Sequence, residues 1–107
     1  MIGPFSESKL RELAENVIDQ QDALDHEEQF GRKVLFVHHE IVQLWDPQAI
    51  AGKDGDFYKF KFEYDLEVVE EEYPDEPYKA RFVRTVRINS KGVVTAFGAR
   101  NLLAELD

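Results

Sequence analysis

From Tyr58 to Val68 the sequence alternates without a fault. Tyr58, Phe60, Phe62, Tyr64, Leu66 and Val68 take every second position, with Lys59, Lys61, Glu63, Asp65 and Glu67 between them. A period of two sends successive side chains to opposite sides of an extended chain, so this segment is a strand with one apolar, ring-rich face. Such a face must be covered. The cover is supplied by the segment whose apolar residues recur at helical spacing: Leu10, Leu13, Ala14, Val17, Ile18, Gln21 and Leu24. Ser6 is placed as its N-cap, Phe5 as a staple on Leu10, and Glu7 in the first turn where the helix dipole favours an acid. The pattern predicts a helix from about Glu7 to about Asp25 or beyond, with Gly31 as the break. Asp25-His26-Glu27-Glu28 is polar throughout and reads as a frayed, solvated end.

The remaining elements follow from period and punctuation. Val34 to Trp45 is β-branched and aromatic, hence a strand, and apolar on both faces over much of its length. Asp46-Pro47-Gln48-Ala49-Ile50-Ala51-Gly52 reads as one helical turn, and Lys53-Asp54-Gly55-Asp56 as a turn. After a reversal at Tyr73 to Pro77, Ala80, Phe82, Val86 and Ile88 continue the apolar face on a third strand, in which Arg84 is the misfit. Asn89-Ser90-Lys91-Gly92 fits a short hairpin with glycine in the left-handed region. Val93, Thr95, Phe97 and Ala99 make a fourth strand, and the tail from Asn101 reads as a short helix or an apolar flap. The expected fold is therefore α+β, a single domain over residues 1–107. A long N-terminal helix packs on a four-stranded, mostly antiparallel meander. This element order resembles a cystatin-like or nuclear-transport-factor-like wrap. The resemblance is one of architecture over the whole chain, carried by no motif, and implies nothing about activity.

Composition narrows the function classes. The absence of cysteine excludes a disulfide framework, a thiol nucleophile and every cysteine-ligated metal or cluster. The start of the chain lacks a basic segment and turns polar by Ser6, unlike a secretory signal. The longest apolar run, Val34 to Val37, is far short of the roughly 20 residues that span a bilayer. A soluble, cytoplasmic protein is expected. The net charge of -9 argues against direct nucleic-acid or anionic-membrane binding.

That charge is unevenly distributed. Residues 1–31 carry eight acids against Lys9 and Arg11; residues 63–76 carry eight acids and no base; residues 77–101 carry six bases and no acid. Antiparallel pairing of the second and third strands would set Glu63, Asp65 and Glu67 near Lys79, Arg81 and Arg87 and cancel much of the last two blocks. Two acidic patches are left over. One is the turn, with Glu70, Glu71, Glu72, Asp75 and Glu76; the other is the helix, with Glu12, Glu15, Asp19 and Asp22. They are the candidate surface for a partner with a basic face, because complementary charge steers encounter and sets orientation.

Candidate chemistry is sparse. In His38-His39-Glu40, strand geometry puts His38 and Glu40 on one face and His39 on the other, with Leu35, Val37 and Ile41. The segment cannot supply the three converging ligands that a metal requires. Asp54 and Asp56 have the spacing of a calcium loop, but the last position of that frame is Asp65, inside a strand pattern. No phosphate-binding glycine loop, nucleophile elbow or zinc-protease motif occurs, and neither a metal nor a cofactor is expected. The leading expectation is a small non-enzymatic protein-binding module, an inhibitor or adaptor. The alternative is a ligand-binding or enzymatic domain whose pocket between helix and sheet is lined by Trp45, Tyr58, Phe62, Tyr64 and Phe82, with His39 or Arg84 as its polar group. A second alternative is a structural subunit of an oligomeric assembly. Val34, Phe36, Val42, Leu44, Val69, Val83, Val94 and Ala96 suggest a second apolar sheet face, covered most simply by another copy in a homodimer or else by the tail.

Overall fold

A computed structural model describes residues 5–52 and 56–106. The proposed turn at Lys53, Asp54 and Gly55 lies outside the described residues. Helix α1 runs Glu7–Phe30. Ser6 caps it, its hydroxyl accepting from the Lys9 amide at 3.2 Å. Gly31 ends it at φ 65°, donating its amide to Glu27 O. The helix is ordered through the segment that reads as frayed. Its buried stripe is Leu10, Leu13, Ala14, Val17, Ile18, Asp22 and His26, so it continues through two polar residues and leaves Leu24 exposed.

The strands are β1 (Val34–Leu44), β2 (Gln48–Ile50), β3 (Phe57–Glu70), β4 (Tyr78–Asn89), β5 (Val94–Ala96) and β6 (Arg100–Glu105). They form one antiparallel sheet in the order β1-β3-β4-β5, with β2 also on β3 and β6 also on β4. The sheet is in effect the expected four-stranded meander with two of its strands interrupted. β1 and β2 run consecutively along β3, and β5 and β6 run consecutively along β4.

Two sequence expectations are corrected by these interruptions. Asp46-Pro47 is a strand break and not a helix start: proline has no amide to give to the ladder, so pairing stops and resumes at Gln48. The tail is neither helix nor flap, because it pairs with β4 from Arg84 to Ala80 and so continues the last strand.

The inner face holds Phe60, Phe62, Tyr64, Leu66, Val68, Ala80, Phe82, Val86 and Ile88 against Phe5, Leu10, Leu13, Ala14, Val17 and Ile18. β1 carries register shifts between Val34 and Phe36 and between Ile41 and Gln43. These bulges turn Val34, Val37, Ile41 and Leu44 alike towards the core, where Val94 also packs. Val34, Leu44 and Val94, expected on a second apolar face, therefore pack on the core instead. That outer face is mostly charged, with Phe36 exposed on it beside His38 and Glu40. Asp65 lies opposite Arg81 and Glu67 opposite Lys79, as the charge pattern implied. Glu63, however, lies opposite Val83 and Arg87 opposite Lys59, so those two are not cross-strand partners. Arg81 Nε donates to Asp65 Oδ1 at 2.6 Å. Lys61 stands over the Trp45 ring and Arg87 over the Phe57 ring.

The β4–β5 hairpin is built as its sequence requires. Asn89 Oδ1 accepts from the Lys91 and Val93 amides, and Gly92 has φ 78°. At the second interruption, Gly98 lies directly on β4: a Cβ there would sit 1.9 Å from the Thr85 carbonyl oxygen. Gly98→Ala is therefore expected to cost about 3 kcal/mol, the upper range for overpacking. Gly31→Ala, which meets no neighbour within 4 Å and pays only for its left-handed backbone, should cost about 1 kcal/mol. Urea titration of both variants checks the order; equal losses would contradict the close approach at Gly98.

Candidate functional site: a buried charge network beside an acidic ridge

Arg84 points inward among the rings of its strand because carboxylates meet it there. It is 2% exposed, and Asp22, reached from the helix, is 0% exposed. Arg84 Nη2 donates to Asp22 Oδ1 at 3.1 Å and also to Asp25 Oδ2. Its Nη1 donates to the Gly98 carbonyl at 2.6 Å. The other Asp22 oxygen accepts from Tyr64 Oη at 2.7 Å and from Arg100 Nη1 at 3.0 Å. Arg100 stacks on Phe82, its guanidinium 4.2 Å from the ring centroid. One carboxylate thus joins α1, β3, β4 and β6.

The electrostatics follow from burial and pairing. Burial pushes the Asp22 carboxyl up from its ordinary value, against the pull of Tyr64, Arg84 and Arg100. Burial, with the adjacent Asp22 charge, raises the Tyr64 phenol far above its usual range. Burial works against the charge of Arg84, but Asp25, Asp22 and Tyr64 outweigh it and hold the guanidinium above its ordinary value. Two guanidinium nitrogens, Arg84 Nε and Arg100 Nη2, are buried without a partner among the described residues. Both Asp22 oxygens are engaged by side chains of the sheet, so the network acts as a clamp between helix and sheet.

A second buried pair closes the far end of the helix. His26 Nε2 and Glu70 Oε2 are 2.7 Å apart, and Arg32 reaches the other Glu70 oxygen at 3.4 Å. The imidazole packs against Phe30 and Tyr78. Glu27 accepts from the Val34 amide at 2.8 Å and ties the helix end to the start of β1.

The expected acidic surface is accordingly redrawn. Asp22 is in the core, and Glu70, 3% exposed, is consumed by His26 and Arg32. Neither is available to a partner. Glu12 and Asp19 are exposed and Glu15 half-buried. Glu71, Glu72, Asp75 and Glu76 are exposed on the β3–β4 turn, where Lys33 comes within 3.8 Å of Glu71. The turn is therefore less one-sided in charge than the sequence implied, because the chain returns Arg32 and Lys33 to it.

The residues proposed for a pocket are not brought together around a single one. Phe62, Tyr64 and Phe82 are packed ring against ring in the core. Tyr58 is half-buried with its ring edge-on to Phe5, 5.4 Å away. Trp45 lies on a groove of about 460 Å³ between the start of α1 and the end of β1, with Phe5, Leu10, Arg11 and Val42. Arg84 borders a separate depression with Gln21, Gln29 and Phe97. His39 lies 3.5 Å from both Glu15 and Asp19, half-buried under the helix, and His38 is exposed on the opposite face. Among the described residues no three histidine or carboxylate side chains form a group that could hold a metal. No described helix is long and apolar enough to cross a membrane.

Sequence reasoning marked Arg84 but missed Asp25, His26 and Arg100. The signal for His26 was present: Leu10, Ala14, Ile18, Asp22 and His26 follow one another at intervals of four, which places the last two on the buried stripe. No family model matches the chain, and searches of curated proteins and of solved structures also find no match. The likeness to cystatin-like and nuclear-transport-factor-like wraps thus rests on element order alone.

Arg84→Met leaves Asp22 buried with less compensation and should cost about 3–5 kcal/mol in denaturant titration. Adding Asp22→Asn to that variant should return part of the loss; strictly additive effects would rule out the coupling. The raised Tyr64 phenol also has a pH consequence. Its neutral form is favoured by folding, so its contribution is complete below pH 10 and is lost as pH rises further. Absorbance at 295 nm should show a tyrosine that ionises only as the protein unfolds in alkali, and Tyr64→Phe should abolish that step.

Proposed function

We propose that the chain is a non-enzymatic protein-binding module that engages a basic surface through the exposed side of α1 and the β3–β4 turn. The observation that supports this reading is which carboxylates the fold leaves without an internal partner. Between Glu12 and Gly31 the helix carries seven acids and no lysine or arginine. Asp22, Asp25 and Glu27 are engaged by Arg84, Arg100 and the Val34 amide. Glu12, Glu15, Asp19 and Glu28 remain, with His39 alone near two of them. These acids run from Glu12 to Glu28, about 24 Å along the helix axis. The turn that bears Glu72, Asp75 and Glu76 returns to the helix end through Glu70 and His26, so both patches belong to one elongated molecule of 45 × 26 × 19 Å. A field of one sign along such a rod attracts an extended basic surface over more than one Debye length.

The test is charge reversal on exposed positions only. A Glu12→Lys, Glu15→Lys, Asp19→Lys variant and a Glu72→Lys, Asp75→Lys, Glu76→Lys variant should keep thermal midpoints close to wild type. Each should lose proteins that the immobilised wild-type chain retains from cell extract and releases at raised salt. Retention that neither charge reversal nor salt weakens would exclude this reading.

A narrower ligand-binding reading keeps the groove at Trp45, whose volume falls in the range of small-molecule sites. It predicts that a bound metabolite changes Trp45 fluorescence, the sole tryptophan of the chain.

A further inference from the structure

The outer edge of β1 is the feature of the sheet that the acidic surface leaves unused. β1 pairs with β3 on one side only. Trp45 donates its amide to the Lys61 carbonyl at 3.1 Å, which fixes the odd-numbered residues of β3 as those whose backbone groups face β1. Their register partners are Phe36 with Val69, His38 with Glu67 and Glu40 with Asp65. By alternation, the amides and carbonyls of Val37, His39 and Ile41 point away from the sheet, to the open edge. Natural edges are blunted by lysine, proline, bulges or a covering element. Residues 34–44 contain neither lysine nor proline. The two bulges lie towards the ends of the strand, and Glu27 covers only the Val34 amide. The stretch from Phe36 to Ile41 has none of these protections.

That stretch is complementary to itself when reversed. We propose that β1 pairs antiparallel with β1 of a second copy about a two-fold axis at His39, joining the two sheets edge to edge. This register sets the backbone of His39 against its own copy and that of Val37 against the partner's Ile41, using the outward-facing groups. On the outer face it sets His38 against the partner's Glu40, with Phe36, 49% exposed, beside them on the same face. These are non-hydrogen-bonded positions, where facing side chains come closest. Within one chain Glu40 lies opposite another acid, Asp65, and among the described residues it forms no ion pair; Arg81 is held by Asp65 and Glu63. The partner's His38 supplies what Glu40 lacks. On the other face, Glu15 and Asp19 flank each His39 and oppose association, so the dimer is expected to be concentration-dependent. The second copy expected from the sequence is thereby moved from the sheet face, which is mostly charged, to the sheet edge.

The experiment is sedimentation velocity on the full chain over a concentration series, with His38→Glu, Glu40→Lys and the double variant. Both positions are exposed. Wild type should pass from 12.4 kDa to twice that mass. His38→Glu sets acid against acid at the interface and should weaken dimerisation at least tenfold. The double variant sets the new glutamate against the partner's new lysine and should restore it. A wild-type monomer at every concentration overturns the proposal. A dimer that His38→Glu leaves intact, or that the double variant fails to restore, overturns the register. Because the acidic positions of the helix and turn are untouched, failure here is distinguishable from failure of the partner-binding reading.

Discussion

A guanidinium sealed inside an apolar core is the constraint around which this protein is organised. Unpaired, Arg84 would carry a desolvation penalty of several kcal/mol, too large for a domain of this size to tolerate. Asp22 and the Gly98 carbonyl surround it, with Asp25 at the rim. These partners come from two distant parts of the chain, the helix and the break before β6. The helix must therefore present Asp22 and Asp25 at one rotation, and the last strand must be broken at Gly98 so that a carbonyl freed from the ladder can accept. Arg100 and Tyr64 complete the shell of Asp22. Replacing such a network with apolar residues can preserve stability, so its value lies as much in specifying one arrangement of helix on sheet.

The two interrupted strands show backbone chemistry acting at the same level. Pro47 ends the first by lacking an amide, and Gly98 bends the last by allowing contact with Thr85. Both breaks border surface features: the Trp45 groove at the first and the Arg84 depression at the second. The bulges of β1 have a third effect. They draw alternate and non-alternate residues alike into the core, which leaves a short unprotected edge between them.

Charge is sorted by depth. On one helix Asp22 is buried against Arg84 and Arg100, while Glu12, Asp19 and Glu28 are exposed. A net charge of -9 therefore overstates what is available at the surface in one place and understates its alignment in another. Glu70 and Glu71 are adjacent in sequence, yet one is a core residue bonded to His26 and the other is exposed beside Lys33.

What the sequence determined by itself was periodic: the helix with its Ser6 and Gly31 caps, the alternating strand from Tyr58 to Val68, the Asn89–Gly92 hairpin and the antiparallel meander. These depend on interactions between residues close in the chain or on a repeated pattern, and such signals are local. The assignment of 46–52 and of the tail failed because strand or helix there is settled by pairing with β3 and β4, residues far away in sequence. The candidate site divided in the same way. Arg84 was visible as a polar residue in an apolar pattern, but its partners Asp22 and Asp25 were not. An acid that continues the helix stripe looks like any other until the sheet buries it. Only tertiary structure distinguishes a carboxylate that neutralises a buried arginine from one that faces water, because burial sets the cost of leaving a charge unpaired.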